Sequence, residues 1–151
     1  LRPKTVNSRS RFLAWILINL KIIVQLISFT DKGFYCSVGD FYIDPWKPVE
    51  RAVITHGHAD HAYAGHKYYL CHTLTKPILQ WRNGEAFYQT LEWNEKINIH
   101  GITLSLHPAG HIAGSSQVRL QHGGEVWVVS GDYKIENDGI SGQFQPLLCH
   151  T

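Results

Sequence analysis

The stretch Val53-Ile54-Thr55-His56-Gly57-His58-Ala59-Asp60-His61 decides how the rest of the chain is read. Val53-Ile54-Thr55 is an apolar, β-branched run of the kind that forms a buried strand, and Gly57 and Ala59 keep the turn after it small. Three imidazoles and one carboxylate then fall within six residues. Nitrogen and oxygen donors of this type suit Zn²⁺ and neighbouring first-row metals. In an extended turn His56 and His58 project to one side, while Asp60 and His61 aim at a second point nearby. That alternation predicts two adjacent cations rather than one. Histidines that were merely solvated would give no reason for so dense a cluster.

Composition sets the frame. The chain has 151 residues, enough for one modest domain with a core, and 44% hydrophobic with 17% charged residues excludes a disordered segment. Ten histidines are the one compositional sign of chemistry. A formal charge of +2 is too small to argue for a nucleic-acid surface by itself. Cys36, Cys71 and Cys149 are odd in number and lack CxxC spacing, which predicts free thiols in a reducing, cytoplasmic setting rather than a disulfide framework. The chain starts at Leu1, contains no Met and stops just after a strand-like Pro146-Leu147-Leu148-Cys149 run. It reads as part of a longer protein.

Residues 1–25 differ from the remainder. Arg2, Lys4, Arg9 and Arg11 precede an apolar run broken by Asn19, Lys21 and Gln25. A signal or membrane segment has basic flanks of this kind. Against it stand the central Lys21 and the lack of a small-residue cleavage site. The reading adopted is an upstream, helix-forming extension, with no stable membrane association, ahead of a domain over 26–151.

From Leu26 the texture is β-rich with short turns. Leu26–Phe29 and Phe34–Val38 predict a hairpin, Phe41–Ile43 a further strand, and Arg51–Thr55 the strand that delivers the histidine loop. Tyr68–Cys71 predicts a strand, and Thr73 caps a helix to about Arg82 with Leu74, Ile78 and Trp81 on one face, ending at Asn83-Gly84. Pro77 fits only the first turn of such a helix. Ile97–Ile99 with Ile102–Leu106, and Ser116–Gln121 with Glu125–Ser130, predict two more hairpins. Scarce helical patterning points to a layered α/β (α+β) domain with mixed or antiparallel sheets, not a doubly wound parallel sheet.

Two later loops carry ligand-type residues after strands. In His107-Pro108-Ala109-Gly110-His111-Ile112-Ala113-Gly114-Ser115, the glycines let the backbone turn closely around His111, which is preferred over His107. In Ser130-Gly131-Asp132-Tyr133-Lys134, Asp132 ends an apolar strand and suits a carboxylate that bridges two cations. His66, His72, His100, His122 and His150 stand alone and read as surface or structural imidazoles.

Together these loops resemble the metallo-β-lactamase fold. Its HxHxDH motif is similar to His56–His61, and the His111 and Asp132 loops follow in the family's order. Ala109–Ser115 and Ser130–Lys134 look like the nucleic-acid-processing β-CASP branch. Gly33–Cys36, Gly39–Trp46 and Gly123–Lys134 are similar to the ligase-associated DNA exonucleases, also described as mRNA 3′-end processing exonuclease-like proteins. The resemblance runs from about Leu26 onward. It implies an αβ/βα sandwich of which only the N-terminal half is present, so apolar sheet faces are left uncovered. It also implies that His56, His58 and His111 hold one divalent metal, that Asp60 and His61 hold another, and that Asp132 bridges them. Zn²⁺ is the expected ion, with Mn²⁺ the alternative. The implied partners are nucleic acid, DNA first, and functionally a DNA ligase.

This ligand set predicts metal-assisted hydrolysis by an activated water, with Asp60, His61 and Asp132 in the catalytic set. Ser115 and Ser116 have no base partner, so no covalent nucleophile is expected. The leading expectation is a DNA exonuclease in DNA repair or processing. A thioester, lactone or β-lactam hydrolase of the same fold, and an inactive metal-binding fragment, are the competing expectations.

Overall fold

A computed structural model describes residues 25–151; the extension expected over 1–25 lies outside the described residues except for Gln25. The described residues form ten strands and one helix. In order they are β1 (Ser28–Thr30), β2 (Gly33–Cys36), β3 (Phe41–Ile43), β4 (Arg51–Val53), β5 (Tyr68–His72), α1 (Lys76–Asn83), β6 (Phe87–Leu91), β7 (Lys96–Ile99), β8 (Ile102–Pro108), β9 (Ser116–His122) and β10 (Glu125–Val129). The first six strands make one sheet in the order β1-β2-β3-β4-β5-β6, and the last four make a second in the order β10-β9-β8-β7. The first sheet is mixed, antiparallel through β3 and parallel from β3 to β6. The second is antiparallel throughout. The layered α/β architecture expected from the sequence is the one observed.

The layers follow from side-chain alternation. Ile43, Val53 and Leu70 of the first sheet share one apolar cluster with Ile102, Leu104, Leu106, Val118 and Leu120 of the second. The intervening residues Ala52, Tyr69 and Cys71 point the other way and meet Leu79 of α1. The central strands are therefore buried on both faces, which is why Ala52-Val53-Ile54 and Tyr69-Leu70-Cys71 read as continuous apolar runs. The order of layers is helix, mixed sheet, antiparallel sheet. Each fully buried Leu or Ile here stabilises the fold by roughly 1.5–3 kcal/mol.

Several expectations need correcting. α1 starts at Lys76 with Pro77 in its first turn and has Thr75, not Thr73, at its N-cap. Its buried residue is Leu79; Leu74 lies before the helix and Trp81 is on the side away from the sheet, so both are exposed. Leu26 and Ile27 are buried but not in a strand; the first hairpin is shorter and pairs Thr30 with Gly33. Strand β6 was not expected, since Phe87-Tyr88-Gln89-Thr90-Leu91 lacks a clear apolar alternation and is held by parallel pairing to β5. At the other edge Phe29 and Phe34 pair in register and remain exposed.

Candidate metal centre

The three ligand loops all leave strands at their C-terminal ends: 54–61 after β4, 109–115 after β8 and 130–134 after β10. Backbone bonds tie them together. Ser116 N–H donates to the Thr55 carbonyl at 2.9 Å, and Lys134 N–H donates to the Ala109 carbonyl at 3.0 Å. Gly131 adopts φ +57°, and a Cβ there would lie 2.8 Å from Thr55 Cβ, so only glycine lets the Asp132 loop sit against the His56 strand. After His58 the chain makes a tight turn, with Ala62 N–H donating to the His58 carbonyl at 2.9 Å. This carries Asp60 and His61 back over the strand end.

The cluster comprises His56, His58, His111 and Asp132, whose donor atoms all lie within 4.8 Å of one another. His58 Nδ1 is 3.1 Å from His56 Nε2 and 3.2 Å from His111 Nε2. His58 Nδ1 offers one proton or one lone pair, so it makes a full hydrogen bond with only one of these neighbours at a time. A cation would accept all three nitrogen lone pairs at once. Tetrahedral coordination at a Zn–N distance of ~2.0–2.1 Å separates donors by ~3.3 Å, close to the spacing observed. The residues fit a divalent metal.

Asp132 faces two ways. Its Oδ2 is 3.9 Å from His56 Nε2 and 3.7 Å from His111 Nε2, while its Oδ1 is 3.4 Å from His61 Nε2. Asp60 Oδ2 lies 3.9 Å from the same His61 nitrogen. Four of the six residues singled out in the sequence, His56, His58, His111 and Asp132, form the cluster; His61 adjoins it through Asp132, and the exposed Asp60 lies beside His61.

Sequence reasoning missed what lies behind them. Asp44 Oδ2 accepts from Thr55 Oγ1 at 2.6 Å, and Asp44 Oδ1 accepts from Thr55 N–H at 2.8 Å. With its proton committed to Asp44, the Thr55 hydroxyl accepts from His56 Nδ1–H at 3.1 Å. Asp44 Oδ2 also accepts from His61 Nδ1–H at 2.8 Å. One carboxylate therefore sets the tautomers of two imidazoles and leaves both Nε2 lone pairs facing the cluster. Burial, then the adjacent His61 and His58, push the His56 pKa down to about 4, so this imidazole is neutral at pH 7 with its lone pair available. The hydrogen bond to Asp44 raises the pKa of His61. The signal that would have found Asp44 is its place just after β3, beside the strand that delivers the histidines.

The other histidines sit elsewhere. His107 is inside β8, 2.9 Å from Ser105 Oγ and 3.4 Å from Gln145 Oε1. His66 Nδ1 accepts from Val49 N–H, His122 bonds the Gly101 carbonyl, and His150 accepts from Val126 N–H. The serine hydroxyls are occupied too: Ser115 Oγ accepts from His111 and Ile112 N–H, and Ser116 Oγ donates to the Gly114 carbonyl.

No protein-family model matches the chain. A curated protein from Opitutus terrae described as "Probable DNA ligase" is 32% identical over 108 residues, covering 68% of this chain and 10% of that protein. The chain thus spans about a tenth of the length of this curated relative. Among solved structures, a protein of unknown function from Enterococcus faecalis V583 is 19% identical with a TM-score of 0.50 over 56% of this chain and 25% of that one; the likeness is one of fold. A metallo-β-lactamase motif mutant from Cronobacter sakazakii is 12% identical with a TM-score of 0.46, covering 74% and 59%. The metallo-β-lactamase FEZ-1 from Legionella gormanii is 20% identical with a TM-score of 0.39, covering 62% and 48%.

Proposed function

We propose that residues 26–151 form the N-terminal part of a metallo-β-lactamase-fold domain, of the β-CASP branch, whose protein hydrolyses phosphodiester bonds in DNA as an exonuclease. The observation that carries the hydrolase reading is the convergence of His56, His58, His111 and Asp132 on one point, with His61 and Asp60 beyond Asp132. The nucleic-acid reading is supported by the motif resemblance and by a relative described as a DNA ligase. A functional association with a ligase, in the cytoplasm, follows from the same reading.

In this proposal His56, His58 and His111 hold one ion, Asp60 and His61 a second, and Asp132 faces both. Zn²⁺ suits the donors, with Mn²⁺ as the alternative. Divalent cations there supply Lewis-acid polarisation of the phosphoryl oxygens and a water acidic enough to react near neutral pH. The chain's own residues hold the geometry. Asp44 and Thr55 fix the imidazole tautomers, and burial keeps His56 unprotonated. Ser115 and Ser116 are bonded to backbone and are not nucleophiles.

The test is purification of the protein that carries this chain and its assay on end-labelled single-stranded DNA and RNA. Stepwise, chelator-sensitive shortening supports the proposal and gives its polarity and substrate. Hydrolysis of a thioester, lactone or β-lactam without nuclease activity would replace it with a small-molecule hydrolase.

A further inference from the structure

The single helix among the described residues touches both histidine loops. Thr75, at its N-cap, is fully buried, yet its hydroxyl makes no bond to the first-turn amides that an N-cap threonine ordinarily serves. It reaches 39 residues along the chain instead, donating to the Gly114 carbonyl at 2.9 Å. Gly114 is at φ +78°, and a Cβ there would fall 2.6 Å from Thr75 Oγ1, so the approach requires glycine. The same carbonyl accepts from Ser116 Oγ at 3.0 Å, and the next residue, Ser115, accepts from the backbone amides of His111 and Ile112 at 2.9 and 3.2 Å. One turn further along the helix, Ile78 packs on Gly57, where a Cβ would lie 2.7 Å from Ile78 Cγ2.

We propose that Thr75 is a positioning residue for the metal centre. Through it, and through Ile78, α1 braces the His111 loop against the His56–His58 loop and sets the separation of His58 from His111. Pro77 has no N–H to be capped and the Ile78 amide already bonds the Thr75 carbonyl, so the buried hydroxyl is left to serve the His111 loop. The inference rests on the metal-binding reading of the cluster.

The experiment is a Zn²⁺ titration against a chromophoric chelator, using the wild-type chain, Thr75→Val and Thr75→Ser, with no catalytic readout. Valine keeps the shape and removes the hydroxyl; serine keeps the hydroxyl. A remote variant in the second sheet, Ile102→Val, controls for stability alone. The expected result is Zn²⁺ affinity lowered about tenfold in Thr75→Val, within the range for partners behind a metal ligand. Affinity recovers in Thr75→Ser and is unchanged in Ile102→Val. Equal affinity in wild type and Thr75→Val overturns the inference while leaving the metal site standing. An equal drop in Ile102→Val also overturns it, because the effect would then be general destabilisation. Failure of wild type to bind Zn²⁺ overturns the underlying reading as well.

Discussion

Asp44 Oδ2 lies 2.8 Å from His61 Nδ1, and the two residues are 17 positions apart in the chain. The contact exists because β3 and β4 run parallel, which places the residue after Ile43 beside the loop after Val53. Asp44 itself sits at φ +43°, in the left-handed region that aspartate tolerates better than most residues. Asp44→Asn keeps the size and removes the charge. On the proposed two-ion reading, the expected outcome is a roughly 10–100-fold loss of affinity for the ion assigned to Asp60 and His61. In the metal-free protein the His61 pKa should fall, since the carboxylate that favours its protonated form is gone. Metal titration and an NMR titration of the imidazole check the two parts.

His111 and His107 are four residues apart and have opposite roles. His111→Ala removes a donor from the cluster and should lower metal affinity well beyond the roughly 10–100-fold seen for outer partners, with a small change in metal-free stability. His107→Ala leaves Ser105 Oγ without its partner in the core and should cost about 2–3 kcal/mol of stability with metal affinity intact. Denaturant unfolding of the chelated proteins, beside metal titration, separates the two.

Gly131→Ala tests the seam between loops. An alanine there takes an unfavourable left-handed backbone and meets Thr55 at 2.8 Å. About 1–3 kcal/mol of destabilisation is expected, with weaker metal binding because Asp132 is the next residue. Thermal unfolding and metal titration report both effects.

These contrasts show what was legible in the sequence. The clustering of His56, His58, His111 and Asp132 was, because imidazoles and carboxylates at tight spacing beside strand-like runs carry their chemistry in their identity. The hairpins of the second sheet were, because Ile97–Ile99 and Ile102–Leu106 alternate around a glycine turn. Asp44, Thr55 and Thr75 were not, since their importance lies in contacts made across 11, 17 and 39 residues of chain. The face of α1 was misread for a similar reason. Leu74 and Trp81 are as apolar as Leu79, and only the position of the sheet decides which one is covered.

Acid should weaken the metal-free fold. His66 and His72 are buried, and burial lowers both pKa values below the usual 6.5. As pH falls below about 6.5 the unfolded chain takes up protons that the folded chain resists, so stability is full above that pH and declines below it. His61 acts in the opposite sense, with its contribution lost as pH rises through its raised pKa. His72→Phe preserves the stack on Trp93 (ring centroids 4.3 Å apart) and removes a titrating group. Melting temperatures of the chelated proteins between pH 4.5 and 8 should show a shallower acid decline in this variant, offset by about 1 kcal/mol for the lost Leu74 N–H bond.

The most direct test of the account is the metal content of the purified chain after equilibrium dialysis against micromolar Zn²⁺ or Mn²⁺, beside His58→Ala, whose Nδ1 lies at the meeting point of the imidazoles. The account predicts about two ions per wild-type chain, removed by chelator, and a clear deficit in the variant. A wild-type chain at background level, or a variant that binds as much metal as wild type, would contradict it.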